Sequence, residues 1–375
     1  MRVLMLSKAC VVGAYQRKLE LIAALGVDLT VAVPPEWRDE RGVLTLERAH
    51  TQGYGLVVTP IWFNGNFHLH VYPRFGELVV RLKPDLVHID EEPYNLATWH
   101  ALRLAARHGA RTVFFSWQNL LRRYPPPFNW IERDVLARAD AGIAGNQAAA
   151  EVWRAKGYRG PLYVIPQFGV DPEIFASPPA PAAAAARPNA GVRREVTVGY
   201  AGRLVPEKGV DLLLLAAAQT PGVRVRIVGA GPERGLLENM IRHFGLQGRV
   251  TLEGMAPSTQ MPALLAQFDA LVLPSRTRPN WKEQFGRVLI EAMACGVPVV
   301  GSDSGELPNV IGDAGLVFPE DDAEALAAHL RALRDDPVLR ARLAEQGRAR
   351  VLAHFTQQKI AEQTVAVYRS LAAGK

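Results

Sequence analysis

Short apolar, β-rich runs alternate with helical periods in this chain, and they do so twice, on either side of a stretch that no core can use. That stretch, residues 177–194, reads SPPAPAAAAARPNAGVRR. It is rich in Pro and Ala and poor in large apolar side chains, so it reads as a linker. Before it, strands are predicted at residues 2–7, 27–33, 85–89, 111–116, 141–144 and 162–165, with helices at 94–108, 129–139 and 147–156. After it, strands are predicted at 196–200, 223–228, 250–253, 270–274, 297–302 and 316–318, with helices at 210–218, 235–244, 261–267, 287–294 and 323–334. Apolar strands separated by helices imply a parallel sheet covered on both faces. The expected fold class is therefore α/β, with two doubly wound, Rossmann-like domains: 1–176 and 195–355, the last helix, 356–375, returning to the first. A length of 375 residues agrees with two domains at about 150 residues each. Open parallel sheets bind ligands at the carboxyl ends of their strands, so the expected active site is a cleft between the domains.

Composition narrows the setting. The two cysteines, Cys10 and Cys295, do not make a disulfide framework and suit a reducing compartment. The opening MRVLMLSKAC reads as a first core strand, too soon interrupted by Lys8 for a secretory signal. No apolar stretch approaches the roughly 20 residues that span a bilayer. The expected location is cytoplasmic. The formal net charge of +6 is carried mainly by Arg, which favours bidentate phosphate contacts. A balance of that size fits anionic small molecules, an anionic membrane surface or nucleic acid, and also an ordinary solvated basic surface.

The sharpest local feature is EQFGRVLIE, beginning at Glu283 and ending at Glu291. Gly286 stands where an apolar helix begins, and Gly296-Val297-Pro298 stops it. Glu291 falls inside that apolar helix, where an ionised carboxylate needs partners; ribose hydroxyls would serve. The N–H groups around Phe285, Gly286 and Arg287, at the helix start, suit a diphosphate. Glu283 is placed to accept hydrogen bonds from sugar hydroxyls. The plain alternative is one solvated and one salt-bridged glutamate.

A second feature, GYAGRLVPEKG from Gly199 to Gly209, joins the first strand of the second domain to a helix. Gly202 permits a tight turn at the strand end. Arg203 and Lys208 then lie at the strand's carboxyl edge, where two cations can hold a diphosphate and stabilise the charge that grows on it. The alternative is a solvated loop.

With these residues in view, the chain resembles a retaining glycosyltransferase of the GT-B fold, most like glycosyltransferase family 4. Glu283 and Glu291 match that family's E-x7-E motif, and Arg203 and Lys208 match its phosphate-binding pair. Val228-Gly229-Ala230-Gly231-Pro232 and Glu253-Gly254-Met255 match its following strand ends. The resemblance covers the second domain by motif and the first by layout. It implies that Glu283 binds the transferred sugar, that Glu291 binds the ribose, and that Phe285, Gly286, Arg203 and Lys208 hold the diphosphate. It further implies that Gly254 and Met255 meet the base and that Gly13 approaches the donor phosphates. Two positions depart from the family. Only Gly13 stands where a glycine pair is common, and Gln118 stands where a histidine is common, so no titrating base is available there.

The implied activity is transfer of a hexosyl unit, with retention and without metal, from a nucleotide diphosphate sugar to a glycan, lipid-linked or small-molecule hydroxyl. No D-x-D and no zinc spacing occurs in the sequence, no cofactor is expected, and no nucleic-acid partner is expected. Alternatives are a nucleotide-sugar epimerase or hydrolase of the same fold and a non-catalytic nucleotide-sugar-binding protein. A nicotinamide-dependent oxidoreductase is disfavoured by the broken Gly-rich fingerprint at Gly229-Ala230-Gly231. Glu91 and Glu92, ending a first-domain strand, are candidate acceptor contacts or a solvated acidic loop. Residues 120–130, LLRRYPPPFNW, mix cations with aromatics; they suit an acceptor, a peripheral contact with an anionic membrane surface, or a proline-rich loop packed on its own rings.

Overall fold

The computed structural model describes residues 1–39, 42–176 and 195–373; the predicted linker, 177–194, lies outside them. The chain divides into two compact units, Met1–Phe168 with Gln357–Lys375, and Gly169–Thr356.

Unit 1 is built on seven strands in the order Gly55–Val58, Asp28–Val33, Arg2–Leu6, Leu86–Ile89, Arg111–Ser116, Ala141–Ala144, Leu162–Val164. Every neighbouring pair is parallel. The central strand shows why a continuous apolar run is needed, since successive residues serve opposite faces. Val3 and Met5 pack on one face with Leu19 and Ile22 of the helix Arg17–Ala24 and with Ile360, Val365 and Tyr368 of the helix Gln357–Ala373. Leu4 and Leu6 pack on the other with Phe75, Leu78, Ala101 and Leu102, from the helices Phe75–Leu82 and Leu96–Arg107. The last helix is thus a core element of unit 1. The Tyr368 hydroxyl lies 2.6 Å from His88 Nδ1.

Unit 2 carries six parallel strands in the order Val250–Glu253, Val223–Val228, Val196–Ala201, Ala270–Leu273, Val299–Ser302, Leu316–Phe318. Val198 lies opposite Val225 on one side and Ala270 on the other. The strand order reverses direction between Val196–Ala201 and Ala270–Leu273. The loops leaving those two strands therefore diverge to opposite faces and open a crevice at their carboxyl ends. In unit 1 the same reversal falls between Arg2–Leu6 and Leu86–Ile89.

Most element ends move by one or two residues from the sequence expectation, as fraying ends do. Several elements had no clear sequence signal. Gly55–Val58 is a four-residue edge strand, and Glu36–Asp39 pairs antiparallel with Gly42–Thr45. Pro337–His354 is an 18-residue helix. It buries only Leu343, Gly347 and Val351, so its apolar stripe is too thin to stand out. Among the described residues no helix is long and apolar enough to cross a membrane.

Candidate functional site

The reversal in unit 2 places two loops side by side. The first runs from Gly202 through a short helical turn, Pro206–Lys208, to the helix Val210–Ala218. The second leaves Leu273 and reaches the helix Arg287–Ala294. Gly209, at φ +62°, joins them closely: a Cβ there would lie 2.1 Å from the Pro274 carbonyl oxygen, so only glycine fits. Lys208 Nζ consequently donates to Glu283 Oε2 at 2.6 Å, and Ser275 Oγ donates to the same oxygen at 2.7 Å. Glu283 is buried, and the Trp281 ring lies under the Lys208 ammonium at 5.0 Å. Behind them, Arg276 grips Asp211 through both terminal nitrogens at 2.5 and 2.8 Å and ties the second loop to the helix of the first.

Lys208 and Glu283, 75 residues apart in sequence, thus form one partly buried ion pair at the switch point. Gly286 caps the next helix at φ +71° and fits against Leu273 and Leu307. The first turn of that helix points its N–H groups out of the helix start. Its other end is held by the Arg348 guanidinium, which donates to the Ala294 carbonyl, and Gly347 lets the helix Pro337–His354 approach Met293. The Arg348 charge at the carboxyl end complements the helix dipole there.

Several expected site residues sit differently from the sequence reading. Gly202 lacks a positive φ; what leaves no room for a side chain is the Tyr200 hydroxyl, 2.9 Å from a Cβ built there. That hydroxyl donates to the Arg203 carbonyl at 2.6 Å and fixes the loop, with Arg203 itself exposed. Glu291 is buried as expected, but its partner is Arg287 one turn earlier, Nε to Oε1 at 2.8 Å. Burial pushes the Glu291 carboxyl above the usual carboxylate range, and Arg287 pulls it back. Phe285 is buried and meets Phe355 edge-on at 5.8 Å. Gly254 and Met255 follow the strand at the sheet's edge, two strands from the switch point, with Met255 80% exposed.

In unit 1, Gly13 donates its N–H to Glu47 Oε2 at 2.6 Å, so a carboxylate already occupies the anion position read from sequence. Gln118 is buried, its side-chain amide donating to the Leu120 carbonyl at 2.6 Å. The acidic strand end of unit 1 is an ordered, mostly buried network and not a solvated loop. Glu91 is fully buried against Lys8, with Tyr72 OH at 3.3 Å and His70 Nε2 at 3.4 Å. Glu92 accepts from Ser116 Oγ at 2.5 Å and Trp117 N at 2.8 Å. Burial pushes Glu92 up to about 7 and Lys8 down to about 8, and holds His70 neutral by lowering it to about 3.

Sequence reasoning missed Ser275, Trp281 and Lys8. Ser275 and Lys8 each follow a strand end by two residues, a signal that the strand-end rule makes readable; Trp281 carries none. Among the described residues no cluster of three His, Cys, Asp or Glu side chains is arranged as metal ligands.

Two family models match the chain: "Glycosyl transferases group 1" over residues 186–350 and "Glycosyltransferase Family 4" over residues 18–174. The chain is 34% identical over 214 residues to the MMP alpha-(1->4)-mannosyltransferase of Mycolicibacterium hassiacum, covering 55% of this chain and 48% of that protein. It is 37% identical over 299 residues to the D-inositol 3-phosphate glycosyltransferase of Mycobacteroides abscessus, covering 76% and 60%. The chain thus spans about half the length of the first of these relatives and three fifths of the second. In fold it is similar to Anabaena HepE, solved in complex with UDP, with a TM-score of 0.74 at 22% identity over 99% of this chain and 100% of that one.

Proposed function

Since this chain belongs to glycosyltransferase family 4 and shares the GT-B fold of two Rossmann-like domains, we propose that it transfers a hexosyl unit from a nucleoside diphosphate sugar to an acceptor hydroxyl, with retention and without a metal ion. The observation that carries this reading is the Lys208–Glu283 pair, 2.6 Å long, at the switch point of unit 2 beside the start of the helix Arg287–Ala294.

On this reading the diphosphate lies against the Phe285–Arg287 amides, with Arg203 and Lys208 as its cations. The Lys208 ammonium has three protons. One goes to Glu283, and the others are directed to phosphate oxygens. Glu283 orients that cation and accepts from hydroxyls of the transferred sugar. Glu291 accepts from the ribose, where it exchanges part of its contact with Arg287 for hydroxyl donors. As the bond from the anomeric carbon to the β-phosphate oxygen breaks, its electron pair passes to that oxygen, where the cations and helix start stabilise it. The acceptor oxygen attacks the same face, and its proton goes to the departing phosphate oxygen. Gln118 takes no part in proton transfer, since an amide does not titrate. Gly13 remains a proposed contact to the donor phosphates, which requires its amide to exchange Glu47 for a phosphate oxygen, and Gly254 and Met255 remain proposed contacts to the base.

The name of the D-inositol 3-phosphate glycosyltransferase supports a hydroxylated small-molecule acceptor, and a glycan or lipid-linked hydroxyl is kept beside it in the proposal. The reading places the enzyme in the cytoplasm, where nucleotide sugars are made.

Thermal unfolding with UDP-, GDP- and ADP-sugars tests the donor class. A donor at about 100 times its Kd stabilises the fold by about 2.7 kcal/mol and raises Tm by several degrees. No shift with any of the three defeats the reading. Transfer is also expected to persist in EDTA, because the charges on the leaving phosphate are met by Arg203, Lys208 and peptide dipoles. Loss of activity that added divalent metal restores would show that a metal carries that role.

A further inference from the structure

The surface of unit 1 holds a group of large apolar side chains that the transferase reading does not use. Trp62, Phe63 and Phe67 are 60%, 62% and 51% exposed, and Leu69 is exposed beside them. These residues belong to one tight loop. Trp62 and Val71 close its base with two backbone hydrogen bonds at 2.9 and 3.2 Å. Inside it, Asn66 Oδ1 accepts from the His68 and Leu69 amides, both at 3.0 Å, and Asn64 Oδ1 accepts from the Arg38 amide at 3.1 Å. The loop is also pinned to the start of the helix Leu96–Arg107, Leu96 N donating to the His68 carbonyl at 2.9 Å. Its polar residues satisfy the backbone, while Trp62, Phe63 and Leu69 face water and Phe67 does so in part, with its ring against Trp37 at 5.3 Å. Phe63 even adopts φ +55°, a conformation costly for a bulky side chain. Soluble surfaces seldom show such a patch without a use for it.

The segment 118–131 lies against this loop. His68 meets Tyr124 at 5.5 Å and Phe128 at 4.8 Å, both edge-on. This segment adds exposed Leu121 and Trp130 and the exposed cations Arg122 and Arg123. Neither residues 60–72 nor residues 118–131 contain an Asp or Glu. Two Trp, two Phe and two Leu with cations and no acid match the boundary of an anionic bilayer, where amphipathic rings sit at headgroup depth and Arg meets lipid phosphate. We propose that the loop closed by Trp62 and Val71, with Arg122 and Arg123 beside it, is a peripheral docking surface for an anionic phospholipid membrane. It holds the enzyme on the bilayer without spanning it. The surface shares no residue with the proposed donor site, so it is tested separately from the transferase reading.

Flotation of the full chain with vesicles tests it. Mixed phosphatidylcholine–phosphatidylglycerol vesicles are expected to carry the protein, and phosphatidylcholine alone far less. The double change Trp62→Ser with Phe63→Asn is expected to weaken binding about tenfold or more. Asn suits the left-handed backbone at 63 better than Phe, so this variant should fold; should it not, Phe63→Asn alone carries the test. Arg122→Glu with Arg123→Glu, or high salt, is expected to remove the preference for the anionic lipid. Failure of the wild type to float, or equal flotation of the folded aromatic variant, overturns the proposal. So does self-association in sedimentation velocity that needs Trp62 and Phe63 while vesicles are ignored, which makes the patch an interface between copies of the chain.

Discussion

Glu283→Ala is expected to lower glycosyl transfer by a factor on the order of a hundred to a thousand while the far-UV circular dichroism stays that of the wild type. The expectation follows from what the carboxylate does at once. Its Oε2 takes the Lys208 ammonium and the Ser275 hydroxyl, and together they fix the direction in which Lys208 presents its remaining protons. Alanine removes the proposed sugar contact and releases the cation. Because both effects act on the transition state, kcat and kcat/KM should fall together. Glu283→Gln separates them: it keeps shape and one acceptor but gives up the charge, so its activity should lie between those of wild type and Ala. A purified Glu283→Ala protein with near wild-type turnover would remove Glu283 from the mechanism.

Lys208→Met should cost about as much in kcat as Glu283→Ala, because it deletes a cation aimed at the developing charge on the leaving phosphate. It should also cost stability. Methionine fills the stem's volume over Trp281 but leaves the buried Glu283 carboxylate with Ser275 as its remaining partner in this network. Losing one partner of a buried charged hydrogen bond costs about 1–3 kcal/mol, a fall in Tm of several degrees for a domain of this size. The double variant Lys208→Met, Glu283→Gln should regain much of that stability and none of the activity. Equal Tm for wild type and Lys208→Met, measured together with an unchanged kcat, would show the pair to be a surface contact of no consequence.

What was legible in the sequence follows physical rules that act over short distances. The helix Arg287–Ala294 is bounded by Gly286 and by Gly296-Val297-Pro298, and those residues fix its ends to the residue. Strands such as Ala270–Leu273, and Arg2–Leu6 from Val3 onward, are legible because both faces are buried and the run is apolar. The site was legible as two motifs, but their joining was not. Nothing near Lys208 announces that Glu283 lies 2.6 Å away, since the reversal of strand order that brings them together is a property of the whole sheet. Glu291 shows the same limit in the other direction. Its need for a partner is readable from its apolar helix, but the sequence does not choose between ribose hydroxyls and a salt bridge, and the structure shows the bridge to Arg287 four residues earlier. In unit 1, the carboxylate of Glu47 at the Gly13 amide and the burial of Glu91 against Lys8 depend on contacts 34 and 83 residues apart, which local patterns do not carry. The loop closed by Trp62 and Val71 hid for a different reason. Its apolar residues look like core in a sequence, and only their exposure shows that they are not.

The account turns on a diphosphate held at the switch point of unit 2 by Lys208 and the start of the helix Arg287–Ala294. Calorimetric titration of the full chain with UDP, GDP and ADP in EDTA reads this without chemistry or acceptor. At least one of the three should bind the wild type, and its affinity should fall about tenfold or more in Lys208→Met. Binding of none of them would remove the nucleotide site altogether, and the same affinity in both proteins would place the nucleotide elsewhere.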